Sequence, residues 1–150
     1  MNRLTEFVRE SNRIEGILRE PSNAEINAQE KLLHLEHVTT DNLEAFVSVI
    51  APGHELRRHI GLDVSVGEHI APPGGANIVV KLDEILDDVL ETDPYFIHQR
   101  YEHLHPFTDG NGRSGRALWL WTMQRHGMLK RALALGFLHN WYYSSLSHHR

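Results

Sequence analysis

Between Asp93 and Gly127 the sequence offers two helical stretches parted by one short break, and the residues of that break constrain the backbone more than any others in the chain. Asp93-Pro94 supplies a cap followed by proline at the first helical position, and Phe96, Ile97, Arg100, Tyr101 and Leu104 continue an inward stripe up to His105. Beyond the break, Arg113 to Gly127 contains Ala117, Leu118, Leu120, Trp121 and Met123 with no proline, and Gly127 is a natural stop. The break itself ends in Gly110-Asn111-Gly112, residue types that enter left-handed backbone at little cost, so successive N–H groups there can point at one anion. A phosphate would meet both those amides and the positive end of the helix that follows. Arg113 and Arg116 lie three apart on its first turn, where forked guanidinium groups grip phosphate oxygens. Asp109 just before the turn suits magnesium completed by phosphate oxygens and water. His105 can be neutral at cellular pH and take a proton from an attacking hydroxyl. The string reads as a site for a polyphosphate and an acceptor hydroxyl.

The rest of the chain is mostly helical in period. Pro21-Ser22 with Glu25 reads as a capping box opening a helix through Ala28, Leu32 and Leu35 to about Val38. Thr40 or Asp41 caps the next, carried by Leu43, Phe46, Val47 and Ile50 until Pro52-Gly53. From Arg58 to Ala76 the period changes: Ile60, Leu62, Val64 and Val66 alternate, and Gly61, Gly67, Pro72, Pro73, Gly74 and Gly75 punctuate, which predicts a short hairpin with an irregular tip. Ile78 to Leu90 returns to a helix, with Leu82, Ile85, Leu86 and Val89 inside and an acidic, solvated outer face. After Gly127 one or two more helices run through Leu133 and Phe137 and then Trp141 to Leu146, and His148-His149-Arg150 is a frayed end.

Near the other terminus, Leu4, Phe7, Val8 and Leu18 share one side of a helix at 100° per residue, and Ser11 and Glu15 fall in the middle of that stripe. A carboxylate centred on a packing face needs a cation, because burying it alone costs several kcal/mol.

The run His105 to Arg116 fills every fixed position of H-x-F-x-(D/E)-G-N-G-R-x-x-R, and so resembles the signature of the Fic family. The resemblance implies an all-α, Fic-type helical bundle of about seven to nine helices with one short β-hairpin flap, spanning residues 1–150 as a single domain. It implies an enzyme that transfers AMP from ATP, with Mg2+, to a Tyr, Thr or Ser hydroxyl of a target protein or of itself. His105 is then the general base, Asp109 the magnesium ligand and Phe107 the buried anchor of the loop. Gly110, Asn111 and Gly112 form the anion hole, and Arg113 and Arg116 hold the β- and γ-phosphates. Doc-type relatives, which phosphorylate, carry Lys where this chain has Gly112. Ser11, Glu15 and Gly16 match (S/T)-x-x-x-E-(G/N) of the autoinhibited class, implying that residues 1–19 form an inhibitory helix whose Glu15 pairs with Arg116 in place of the γ-phosphate. In some relatives this glutamate also positions water to remove AMP from a target. The resemblance assigns Gly67, Glu68, His69, Ile70, Ala71, Pro72, Pro73, Gly74 and Gly75 to the flap that docks the target as an added strand. It gives the Tyr142-Tyr143 pair a place in the last helix, beside the nucleotide. A toxin whose brake sits on an antitoxin chain, or a silent interaction module, would share the fold; the internal Ser11 to Gly16 match speaks against the first and the complete signature against the second.

Composition narrows the setting. With 15 Lys+Arg against 20 Asp+Glu the net charge is −5, which disfavours nucleic acid and acidic membranes as partners, so the positive charge for ATP must be local. No cysteine is present, the start lacks an apolar leader and no apolar run is long enough to span a bilayer; these point to a cytoplasmic enzyme. Twelve histidines, among them His98, His103 and His105 and the pair His34 and His37, lack the cysteine or H-E-x-x-H spacing of a zinc site.

Overall fold

Among the described residues, six helices and a small hairpin surround one helix that is buried on nearly every side. The computed structural model describes residues 3–135. In order the elements are α1 (Arg3–Ile14), α2 (Asn23–Leu33), α3 (Thr40–Ile50), β1 (Ser65–Val66), β2 (His69–Ile70), α4 (Ala76–Asp87), α5 (Pro94–Leu104), α6 (Asn111–Arg125) and α7 (Leu129–Leu135). The expectations for Phe137, Trp141 to Leu146, Tyr142-Tyr143 and His148-His149-Arg150 fall outside the described residues. None of the described helices is long and apolar enough to cross a membrane.

The central helix is α6, which contacts α1, α2, α3, α5 and α7. Its apolar residues point in two directions, as expected of a helix with no solvent face. Ala117, Leu118 and Trp121 join Leu43, Ile78, Leu82, Ile97, Tyr101 and Phe107 in the main core. Trp119, Leu120 and Met123 form a second cluster with Leu4 and Phe7 of α1 and Ala132 of α7. Phe7 and Trp119 stack at 6.4 Å, so α1 is seated on α6 by aromatic packing as well as by charge.

Local chemistry explains most element boundaries. Ser22 and Glu25 form the expected capping box at α2, and Asp93 accepts from the Tyr95 amide ahead of Pro94 at the start of α5. The α3 cap is Thr39 rather than Thr40 or Asp41, because the Asn42 amide reaches the Thr39 hydroxyl while its side chain accepts from the Thr39 amide. α2 stops at Leu33, short of Val38; the Leu35 carbonyl beyond it accepts from Trp121 Nε1 (3.0 Å) and from Arg125 (2.7 Å) instead of continuing the helix. α6 begins at Asn111, two residues before the expected start at Arg113.

Two of the expected inward stripes need correction. Leu18 does not share the α1 stripe: the helix ends at Ile14 and Leu18 is exposed. Gly16 at φ +76° closes α1, with the Ile17 amide bonded to the Asn12 carbonyl and the Gly16 amide to the Arg13 carbonyl. This 6→1 and 5→2 pair is a Schellman stop. On α5, Phe96 is 46% exposed and Arg100 pairs with Asp88, so neither belongs to the inward stripe.

The expected hairpin is present but short, pairing Ser65 with Ile70 and Val66 with His69 around Gly67-Glu68. Ile60 stands outside it, 92% exposed, so the alternation from Ile60 does not become a strand. Ala71 and Gly74, in the second half of the expected flap, are buried. A Cβ on Gly74 would lie 2.6 Å from the carbonyls of His59 and Leu62, so that half is a packed return to α4.

Replacing Thr39 with Ala removes a reciprocal cap at an exposed position and should lower the unfolding free energy by about 1 kcal/mol. Urea denaturation with an unchanged m-value checks it; an unchanged midpoint would show that the α3 cap carries no stability.

Candidate active site

His105 ends α5 in the left-handed region, at φ 48° and ψ 64°, as its C-cap, and is the one non-glycine residue at positive φ among the described residues. A side chain in that conformation stores strain and persists only where its surroundings over-determine it. Its amide donates to the Tyr101 carbonyl at 3.0 Å, and its imidazole Nδ1 donates to the Glu102 carbonyl. A carbonyl only accepts, so the proton sits on Nδ1 and Nε2 keeps its lone pair. Burial lowers the pKa of the ring; His69 and Arg57 lower it further, against the opposing pull of the Glu102 carbonyl and Glu15. The neutral form of the ring is therefore favoured, with a lone pair on Nε2 that can accept a proton.

The loop after it is anchored from within. Phe107 is fully buried, its amide donates to Asn111 Oδ1 and its carbonyl accepts from Asn111 Nδ2, both at 2.8 Å. The Asn111 side chain is thus committed to shaping the loop, leaving backbone amides to face an anion. Gly110 takes φ +80°, with Ala51 Cβ only 3.2 Å from where its own Cβ would stand. The unpaired first N–H groups of α6 are available beyond it.

Arg116 is 3% exposed, and its partners come from the other end of the chain. Nε donates to Ser11 Oγ at 2.8 Å, and Nη2 donates to the Ser11 carbonyl and to Glu15 Oε1, each at 3.0 Å. The same carboxylate lies over Gly112, where any Cβ would come within 2.4 Å of Glu15 Oε1. Glu15 is the C-cap of α1, held beside the left-handed Gly16, so the Schellman stop aims the carboxylate at the start of α6. α1 is fastened separately to the segment after it: Arg9 bonds Glu20 at 2.7 and 3.0 Å, and Asn12 and Arg19 both donate to the buried Glu25. Burial raises the Glu25 pKa, but Arg19 and Ser22 outweigh it and hold it down to about 2.

The two signature arginines do not converge in this conformation. Arg113 is buried and donates to the Ile50 carbonyl at 2.7 Å, on the α3 side of α6. Asp109 is exposed, 3.8 Å from His54 Nε2. The hairpin reaches the site through His69, whose Nε2 bonds the His103 carbonyl at 2.9 Å.

Sequence reasoning missed three residues of this neighbourhood, two outside the helical stripe assumed for α5 and one in the irregular segment before the hairpin. His98, Glu102 and Arg57 are all beside the signature. His98 and Glu102 lie four apart, and with Tyr101 they form the face that meets α6. Gly115 has no Cβ where the Glu102 carboxylate passes, 2.4 Å from the position one would take. Burial pushes the Glu102 carboxyl up to about 7; Arg116 lowers it and Glu15 raises it. Burial, then Arg116, pushes His98 down to about 3, and its Nδ1 donates to the Gly115 carbonyl at 3.1 Å. A sequence signal did exist, since 98, 101, 102 and 105 recur at i, i+3, i+4 and i+7.

Residues 29–123 match the Fic/DOC family. The chain belongs to that family. Among curated proteins, this Fic/DOC chain is 28% identical over 119 residues to "Protein adenylyltransferase Fic" of Nematostella vectensis, covering 71% of this chain and 28% of that protein. It is 53% identical over 32 residues to "Uridine 5'-monophosphate transferase" of Xanthomonas campestris pv. campestris (strain 8004), covering 21% of this chain and 6% of the other. The chain spans less than a third of the length of these relatives.

The raised pKa of Glu102 has a consequence for stability. Its neutral form is favoured in the fold, so the stabilisation is complete below about 4.5 and is lost as pH rises through about 7. Glu102→Gln cannot ionise, so the melting temperature of the wild type should fall relative to that variant between pH 5 and pH 8. Parallel melting curves across that range would place the buried charge elsewhere.

Proposed function

We propose that this chain is an adenylyltransferase module that moves AMP from ATP to a Tyr, Thr or Ser hydroxyl of a target protein, or of itself, and that Glu15 holds it at rest. The observation that carries the reading is the Glu15 carboxylate, seated over Gly112 and bonded to Arg116 at the N-terminus of α6. An anion-sized place lined by a guanidinium and the unpaired amides of a helix start is filled by an internal anion.

When ATP takes that place, Arg116 meets the γ-phosphate and the amides of Gly110, Asn111 and Gly112 meet phosphate oxygens. Arg113 would have to give up the Ile50 carbonyl to join them. His105 Nε2 takes the proton of the acceptor hydroxyl, whose oxygen forms a bond to the α-phosphorus as the bond to the bridging oxygen breaks and pyrophosphate leaves. Asp109 offers an exposed, hard oxygen donor, which fits magnesium held chiefly by phosphate and water; the metal would neutralise charge on the phosphates. The hairpin at residues 65–70, within and just ahead of the flap Gly67 to Gly75, would dock the target segment as an added strand. In this reading residues 1–150 act as one domain and residues 1–19 as its brake.

Glu15 and a γ-phosphate cannot share Arg116 without strong repulsion. Glu15→Gly should therefore raise labelling from α-labelled ATP and magnesium by roughly 10- to 100-fold, the equivalent of about 1.5–3 kcal/mol for a charged hydrogen bond. Wild-type labelling by the variant would remove the brake. His105→Ala in the released background should lower the rate by about 10²- to 10⁴-fold while ATP still binds. A parallel reaction with α-labelled UTP tests the donor suggested by the second relative, and γ-labelled ATP tests phosphate transfer.

The pH dependence follows from the base. His105 must be neutral, and its pKa is lowered from 6.5, so the acid limb of the rate should have its midpoint below 6.5 and be flat by neutral pH. A midpoint at or above that value would exclude burial as what tunes it.

A further inference from the structure

Arg57 is fully buried, and among the described residues no carboxylate pairs with it. Its guanidinium is taken up by four main-chain carbonyls. Nε donates to His105 at 2.6 Å and Nη2 to Leu104 at 2.8 Å, the last carbonyls of α5. Nη1 donates to Leu62 at 3.0 Å and to Pro72 at 2.8 Å, on the two sides of the neck of the hairpin. The main chain of the same residue ties both places again: its amide donates to the Pro106 carbonyl at 2.8 Å, and its carbonyl accepts from the Gly75 amide at 2.9 Å. One planar fork thus spans the residue carrying the imidazole base and the stalk of the only paired strands among the described residues.

The chemistry accounts for the choice of residue. The left-handed turn at His105 leaves helix-terminal carbonyls inside the protein, where they need donors. The negative end of α5 receives the cation in place of a carboxylate. Four of the five guanidinium N–H groups are used, in fixed directions from one plane; an ammonium has three donors on a single atom and cannot reach both sides.

We propose that Arg57 is a positioning residue for group transfer: it sets the 62–72 hairpin relative to His105, so that a hydroxyl carried by a docked segment arrives at Nε2 in line with the α-phosphorus. This rests on the adenylyltransferase reading. Arg57 touches neither nucleotide nor acceptor and acts through His105 and the hairpin neck. Near the neck, the exposed Asp63 closes the same stalk by accepting from the Gly74 amide at 2.8 Å.

The test uses the full chain in the Glu15→Gly background, with α-labelled ATP and magnesium and self-labelling as readout. Arg57→Lys should lower the maximal rate by about 100-fold, the cost of a misplaced reacting group, while half-saturation by ATP stays within about threefold. Asp63→Ala, at an exposed position where folding is not at risk, should lower the rate in the same sense, again without a change in ATP half-saturation. Imidazole NMR of His105 gives a readout independent of turnover: Arg57→Met removes a positive neighbour and should raise the His105 titration midpoint, and Arg57→Lys should leave it near the parent's. Parent-like maximal rates in Arg57→Lys or Asp63→Ala overturn the proposal, as does a loss expressed only as weaker ATP binding. A parent that labels nothing sinks the adenylyltransferase reading instead. Arg57 is then judged by NMR alone, where unchanged His105 signals in the Met variant overturn it.

Discussion

A guanidinium buried at the start of the central helix requires an anion, and much of the arrangement follows from how Arg116 obtains one. Burying a charge costs several kcal/mol unless it is paired and its donors are used. Here Ser11 and Glu15 supply the partners from 105 and 101 residues away in sequence, so the need of one side chain helps to draw the N-terminal helix onto α6. The fit is made from both sides. Gly112 has no side chain where the carboxylate rests, and Gly16 takes the left-handed turn that leaves Glu15 as the C-cap of α1.

That ion pair is one of several contacts that seat α1. Leu4 and Phe7 are buried with Trp119, Leu120 and Met123, and Asn12 is held by Glu25 of α2. None of these contacts runs through the Glu15 carboxylate. Glu102 adds a second acid close to the same guanidinium, and its preference for the neutral form keeps the local charge near balance while Glu15 is bound.

Much of the candidate site was legible because its residues are local in sequence. Twelve consecutive residues hold the histidine, the carboxylate, the turn and both arginines, and Ser11, Glu15 and Gly16 lie within six consecutive positions. The caps at Ser22 and Asp93 were readable for the same reason, since each involves residues within three positions. Reading failed where partners are distant. Phe96 and Arg100 looked inward until the packing of α5 on α6 turned His98, Tyr101 and Glu102 to the inside. Arg57 stands in an irregular segment with no period, and its meaning depends on carbonyls at 62, 72, 104 and 105.

Sequence by itself determined the helical periodicity, the one hairpin, the chemistry of the His105 to Arg116 string and the need of Glu15 for a cation. Tertiary structure put Glu15 on Arg116, the cation that the family resemblance implied and that residue chemistry left open, and it alone decided that Arg113 faces Ile50 instead and that Arg57 joins the hairpin to His105. The reason is physical: periodicity and capping are set by neighbours within a turn or two, whereas the partner of a buried charge is whichever group the packing of distant helices brings within 3 Å.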